Sequence, residues 1–207
     1  MICVPIKNKN INTIIKKLII SQKNADLTEI FFDEISNINV EKLKKIFNKK
    51  NKPIIYKSYG YLPYLEQVLA FAPEYIDLDI NTSIKIINFV KKISPKTKII
   101  ISYHNFETTP PINVLEALIK KMKQKKADIF KIATYANEIS DSIKILSFLS
   151  TKKQLDIICL AMGKYGKITR ATGHLLGNYL MYAPLDEKDK TASGQIILKE
   201  LKKCHLK

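Results

Sequence analysis

A lysine set inside an apolar run is the residue of this chain that first suggests chemistry. The stretch Ala127-Asp128-Ile129-Phe130-Lys131-Ile132-Ala133 reads as a strand, and two-residue alternation puts Lys131 on one face with Ile129 and Ala133. Parallel strands are covered on both faces, where an unpaired ammonium is costly. A desolvated lysine is expected to have a lowered pKa, and its neutral amine attacks carbonyl carbon. The plainer reading is a lysine that snorkels to the strand end or pairs with a carboxylate. His104 ends the run Ile99-Ile100-Ile101-Ser102-Tyr103-His104, where a strand meets its loop. Imidazole suits proton transfer near neutral pH, although a hydrogen-bonded structural histidine fits the same position. His174, in a loop or helix, and His205, in the C-terminal tail, carry less.

Carboxylates and one arginine complete the set. Glu29 and Asp33 are expected on one strand face with Phe31 between them, and Asp77 and Asp79 on one face of another strand. They could neutralise Lys131, hydrogen-bond a polyol, or support the fold through salt bridges. Arg170 is the single arginine among 35 cationic residues, and its planar fork suits carboxylate binding. The glycines of Met162-Gly163-Lys164-Tyr165-Gly166 predict a loop ahead of Arg170. Lys190-Thr191-Ala192-Ser193-Gly194-Gln195-Ile196 predicts a polar loop whose backbone N–H groups either hold an anion or cap the last helix.

The elements that position these residues alternate. Strand-length apolar runs occur at Ile2–Pro5, Leu27–Phe32, Pro53–Tyr56, Tyr75–Leu78, Lys98–Tyr103, Ile129–Ala133, Asp156–Ala161 and Asn178–Ala183. Helical spacing occupies Ile11–Ile20, Val40–Phe47, Tyr61–Phe71, Thr82–Ile93, Ile112–Lys125, Glu138–Ser150 and Gln195–Lys203, with a weaker helix at Ile168–Leu176. Such alternation predicts an α/β chain of parallel βαβ units, closed as a short (β/α)8 TIM barrel over residues 1–207, with an open doubly wound sheet as the alternative. Function then belongs at the C-terminal ends of the strands.

Composition narrows the class. The 207 residues are 46% hydrophobic and 26% charged, which excludes a disordered tail or a collagen-like chain. Three separated cysteines without a CxxC pair suggest neither a disulfide framework nor a zinc site. No apolar run reaches membrane-spanning length, and Met1–Pro5 is too short for a signal peptide, so a cytoplasmic protein without a membrane partner is expected. The formal charge of +16 is almost all lysine, spread over the chain together with abundant Ile and Asn. That pattern fits an AT-rich coding bias better than a surface that reads nucleic acid, which would favour arginine.

Five stretches together resemble type I 3-dehydroquinate dehydratase. They are Ala25-Asp26-Leu27-Thr28-Glu29-Ile30-Phe31-Phe32-Asp33, Ser102-Tyr103-His104-Asn105-Phe106 with Thr109-Pro110, Ala127 to Ala133, Met162 to Arg170, and Ser193-Gly194-Gln195-Ile196. They occur in the family's order and span most of the chain. The resemblance implies a (β/α)8 barrel that dehydrates 3-dehydroquinate to 3-dehydroshikimate in chorismate and aromatic amino acid biosynthesis, without a metal or organic cofactor. It implies that Lys131 forms an imine with the C3 ketone and that His104 moves the protons. It implies that Arg170 holds the substrate carboxylate, that Thr191 and Gln195 bind its oxygens, and that Glu29 binds ring hydroxyls. It also implies a homodimer.

There are departures. Phe31 stands where the family usually has arginine. Tyr56-Lys57-Ser58-Tyr59-Gly60-Tyr61 lacks a usual arginine and acidic residue in register, and Thr191 and Ser193 replace a serine and a proline. Lys57 is expected to supply part of the missing positive charge. The competing readings are another imine-forming barrel lyase or aldolase with an altered substrate, and a non-catalytic basic binding module.

Overall fold

The computed structural model describes residues 1–59 and 62–205, with Leu62, Pro63 and His205 described by their backbone alone. Gly60 and Tyr61, part of the expected departure after the third strand, lie outside them. The strands are β1 (Ile2–Ile6), β2 (Leu27–Ile30), β3 (Ile54–Lys57), β4 (Tyr75–Asp79), β5 (Lys98–His104), β6 (Ile129–Tyr135), β7 (Ile157–Met162) and β8 (Met181–Tyr182). The helices are α1 (Ile11–Asn24), α2 (Val40–Phe47), α3 (Leu62–Leu69), α4 (Ile84–Ile93), α5 (Ile112–Gln124), α6 (Ile139–Ser150), α7 (Gly163–Thr172) and α8 (Leu198–His205). Among the described residues the strands form one parallel sheet in the order β7-β6-β5-β4-β3-β2-β1-β8. This is the expected (β/α)8 barrel. No described helix is long and apolar enough to cross a membrane.

The isoleucine-rich strands follow from burial on both faces. One face of each packs under the helices, as Val4, Ile30, Ile54, Ile76, Ile101 and Ile132 do, and these join one apolar cluster. The other face fills the barrel with Leu27, Ile55, Ile100, Ile129 and Ile158. β-Branched side chains fit such a doubly covered pleated surface. Helix starts are set by side chains that accept otherwise unpaired N–H groups: Asn10 caps α1, Asn39 caps α2 and Ser83 caps α4.

Closure at β8 uses a side chain. The expected strand Asn178–Ala183 shortens to two residues. It pairs with β1, Ile2 opposite Met181 and Cys3 opposite Tyr182. On the β7 side, the Tyr179 N–H donates to the Ile157 carbonyl at 2.7 Å, and the Asn178 Oδ1 accepts from the Cys159 N–H at 2.7 Å. An asparagine carboxamide thus does the work of a peptide group across the seam.

Three local expectations are corrected. β2 ends at Ile30, and Phe32–Glu34 form a 3₁₀ turn, so Asp33 does not share the face of Glu29. Asp33 instead accepts hydrogen bonds from the Tyr56 hydroxyl, the Ser58 hydroxyl and, at 2.7 Å, the Tyr59 N–H. The glycines after β7 do not form a loop. Gly163, at φ +83°, turns the chain from strand to helix in one residue, a conformation that costs glycine little. A Cβ on Gly166 would stand 2.4 Å from the Ala161 carbonyl oxygen, so α7 starts tight against the end of its own strand. The last helix starts at Leu198, not Gln195, and runs to His205, which therefore belongs to a helix and not to a tail.

Candidate active site

Alternation along the strands builds the site. The inward residue nearer the N-terminal end is Leu27, Ile55, Ile100 or Ile129. The next inward residue is Glu29, Lys57, Ser102 or Lys131. An apolar plug therefore underlies a polar layer, above which a cavity of about 500 Å³ opens toward the strands' C-terminal ends. All seven candidate residues line it: Lys131, His104, Glu29, Lys57, Arg170, Thr191 and Gln195.

Lys131 lies at the floor. Its Nζ donates to Asp77 Oδ2 at 2.6 Å and to the Tyr182 hydroxyl at 3.1 Å, and stands 3.4 Å from Glu29 Oε1. The ammonium also sits 4.3 Å from the centre of the Tyr182 ring. Asp77, fully buried, uses its other oxygen to accept from Lys57 Nζ at 2.8 Å. Two ammoniums therefore face two carboxylates, and the layer is close to neutral.

The expected lowering of the Lys131 pKa is overturned. Burial does push it down, but Asp77 and Glu29 outweigh burial and raise it. The same contacts hold Asp77 below the usual carboxylate range, against its burial, chiefly through Lys131 and then Lys57. Burial, assisted by Glu29, pushes the Tyr182 phenol up, so it keeps the proton it shares with Glu29.

His104 occupies the upper wall. Its backbone lies opposite Ala133, two residues beyond Lys131 on the same inward face of β6. The imidazole stacks on Phe106, ring centres 6.0 Å apart. Burial, followed by the nearby Lys131 and Lys57 ammoniums, pulls its pKa down to about 3. His104 is therefore neutral at physiological pH, with an imidazole nitrogen free of a proton beside the cavity.

Arg170 reaches the cavity from α7. It is buried, and its Nε has no hydrogen-bond partner among the described residues. Burial pulls the guanidinium down to about 10, which leaves it cationic at neutral pH. A buried cation without a partner is unfavourable unless a ligand supplies the anion. Arg170→Met is expected to raise Tm of the empty protein while raising KM by about 10–100-fold, the value of hydrogen bonds to a charged group. Calorimetry and steady-state kinetics check the two signs together, and an unchanged KM would contradict the assignment.

The loop after β8 closes the opposite wall. Its free N–H groups are not left for an anion: Thr191 and Ala192 donate to Gln195 Oε1 at 2.7 and 3.2 Å. Gly194 has φ +77°, and a Cβ there would lie 2.2 Å from the Gly163 carbonyl oxygen. The two glycines press the loop onto the start of α7, where the Gly163 N–H donates to Ser193 at 3.2 Å. Gly194→Ala is expected to cost about 1–3 kcal/mol and to raise KM as Thr191 and Gln195 move away. Thermal unfolding and kinetics test this, and a KM equal to that of the parent would show that the loop does not depend on this contact.

Sequence reasoning did not single out Tyr182, although alternation from Leu180 would have turned it inward. It named Asp77 only as one of several carboxylates. It also missed the rim, where Lys7 pairs with Glu34 at 2.7 Å and lies 5.6 Å from the Phe31 ring centre.

Below its exposed rim the cavity thus offers, among the described residues, a guanidinium with an unpartnered Nε, a buried ammonium and a neutral imidazole. These features define a class: a (β/α)8 barrel suited to carbonyl chemistry on a small monoanion. The sequence model of type I 3-dehydroquinase matches residues 2–205. The 3-dehydroquinate dehydratase of Methanococcus vannielii is 33% identical over 218 residues, covering 98% of this chain and 97% of that protein. The same enzyme of Coxiella burnetii is 32% identical over 214 residues, covering 97% and 90%. Among solved structures, 3-dehydroquinate dehydratase from Aquifex aeolicus superposes with a TM-score of 0.79 at 28% identity, covering 99% of this chain and 97% of that one. The Geobacillus kaustophilus enzyme shares the fold at TM-score 0.86 and 20% identity, covering 98% and 88%. The chain belongs to the type I 3-dehydroquinase family, and its reaction class is that of a hydro-lyase.

Proposed function

We propose that this protein dehydrates 3-dehydroquinate to 3-dehydroshikimate and water through an imine on Lys131. Arg170 binds the substrate carboxylate as a bidentate pair, and Thr191 and Gln195 bind its oxygens from the loop after β8. Glu29 accepts hydrogen bonds from ring hydroxyls. This places the C3 ketone over Lys131. The ammonium passes a proton to solvent, the amine adds to C3, and the carbinolamine hydroxyl takes up a proton and leaves as water to give a protonated imine. The imine acts as an electron sink, so neutral His104 can take a proton from C2. The C2–C1 double bond forms as the C1 hydroxyl departs with the proton held by His104. Water then hydrolyses the imine, and the net release is one water.

The observation that carries this reading is the pairing of a buried Lys131 with a buried Arg170, whose Nε has no partner among the described residues, in one cavity. A ketone with a carboxylate a few bonds away satisfies both. Three cysteines, all free and two of them buried, fit a reducing compartment, and we place the protein in the cytoplasm as one barrel domain over residues 1–207, assembled as a homodimer. The test is to incubate the protein with 3-dehydroquinate, reduce with borohydride and measure intact and peptide masses. A stable adduct on Lys131 is expected; a folded protein that yields none would overturn the imine mechanism.

A further inference from the structure

Lys57 lines the cavity, but its ammonium is engaged by the polar layer. Its Nζ donates to Asp77 Oδ1 at 2.8 Å and to the Ser102 hydroxyl at 3.2 Å, and its side chain is 11% exposed. The Ser102 hydroxyl in turn donates to the Leu78 carbonyl at 3.3 Å, which turns its lone pairs toward Lys57. Both oxygens of Asp77 are therefore occupied by ammoniums, Lys57 on one and Lys131 on the other.

We propose that Lys57 is a positioning residue that acts through Asp77: by holding one carboxylate oxygen it divides the charge of Asp77 between two ammoniums and so frees Lys131 to become an amine. The inference rests on Lys131 being the imine nucleophile. An ammonium cannot attack a ketone, and the carboxylates around Lys131 hold its proton on. Glu29 from β2 and Asp77 from β4 favour the charged form, and Tyr182 from β8 accepts from it. Cys3 from β1 is kept as a thiol by burial, His104 from β5 is neutral, and β7 presents the apolar Ile158, Leu160 and Met162. Among the described residues, Lys57 is the one added cation that pairs with this set.

With Lys57 present, two positive charges balance two negative ones. Without it, two carboxylates face a single ammonium, and the proton on Lys131 is held more tightly. A charge at this range moves a pKa by about one unit or more. The cost falls on the first step alone, because the protonated imine is also a cation and keeps its pairing with Asp77.

The experiment follows kcat/KM for 3-dehydroquinate against pH in the full chain, in Lys57→Met and in Lys57→Arg. Lys57→Met is expected to move the limb that reports Lys131, which lies above the usual lysine value, up by about one pH unit, with a loss of about tenfold below that limb that is recovered above it. Lys57→Arg, which keeps the cation, is expected to return the limb to its original position. An unmoved limb in Lys57→Met overturns the inference in either of two ways. A raised KM would make Lys57 a substrate contact, and an equal loss at every pH with a lowered Tm would make it a structural prop. Borohydride reduction of the parent protein keeps the two proposals apart, since absence of an adduct at every pH would sink the imine reading itself.

Discussion

Lys131→Met is expected to abolish turnover and the borohydride adduct together, and to destabilise the empty protein. The first effect follows from chemistry: a thioether cannot form the imine, so the C2 proton loses its electron sink. The second follows from the charges. Asp77 is fully buried, and Glu29 is nearly so. Both lose the ammonium that stands 2.6 and 3.4 Å away. Lys57 remains on Asp77, but two buried carboxylates then share one cation. Breaking a buried ion pair from one side costs about 3–5 kcal/mol, more than the lost contacts of the side chain itself. The sign with pH is also set. Asp77 is held below its usual range, so its contribution is present above the unfolded pKa and is lost as pH falls through the folded one. Chemical denaturation of parent and variant at neutral and acidic pH is the check. The deficit of the variant is expected to shrink in acid, where Asp77 protonates; a deficit equal at all pH values would show that charge is not its cause.

His104→Gln is expected to lower kcat by about 10²–10⁴-fold, the range for loss of a general acid–base, while the adduct on Lys131 still forms, though more slowly. Glutamine keeps the size and a hydrogen-bonding end but cannot carry a proton. Because burial and two neighbouring ammoniums hold the imidazole near a pKa of about 3, its own titration lies outside the usual assay range. Lys131 is held above the usual lysine value, so kcat/KM between pH 5 and 8 is expected to show no inflection from either group. Single-turnover kinetics with quenched trapping separates the steps. A variant with normal kcat would remove His104 from the proton transfers, and one that never forms the adduct would place its main role before the imine.

Much of this site was legible before any coordinates. Lys131 stands out because a cation interrupts an isoleucine-rich run, and Arg170 because the chain otherwise drifts to lysine. The barrel was legible in the alternation of short apolar runs with helical spacing. The pairing was not. Lys131 and Asp77 are 54 residues apart and Lys131 and Glu29 are 102, and nothing local indicates that β2, β4 and β6 converge on one point. The Lys131 pKa illustrates the consequence. Burial alone predicts a lowered value, and only the positions of two distant carboxylates reverse the direction.

Glycine and aspartate show the same division at short range. Gly163 and Gly166 read as a loop because glycine is common in loops, yet a single left-handed residue followed by close packing makes them the first turn of α7. Counting twos puts Asp33 on the same face as Glu29, and the count fails where β2 stops at Ile30. Periodicity is a property of an intact element, so it carries no information past the element's end.

By itself, the sequence determined the element order, the parallel class and the identities of the groups that carry charge and protons, because hydrophobic periodicity and side-chain chemistry are local. Only the tertiary structure decided which of those groups meet, which are neutralised and which remain free. Barrel closure brings β1 to β8 and layers the inward side chains of separate strands. At distances of about 3 Å in a buried layer, electrostatic energies depend on geometry more than on composition. That is why Lys57 faces Asp77, the Nε of Arg170 has no partner among the described residues, and His104 is neutral.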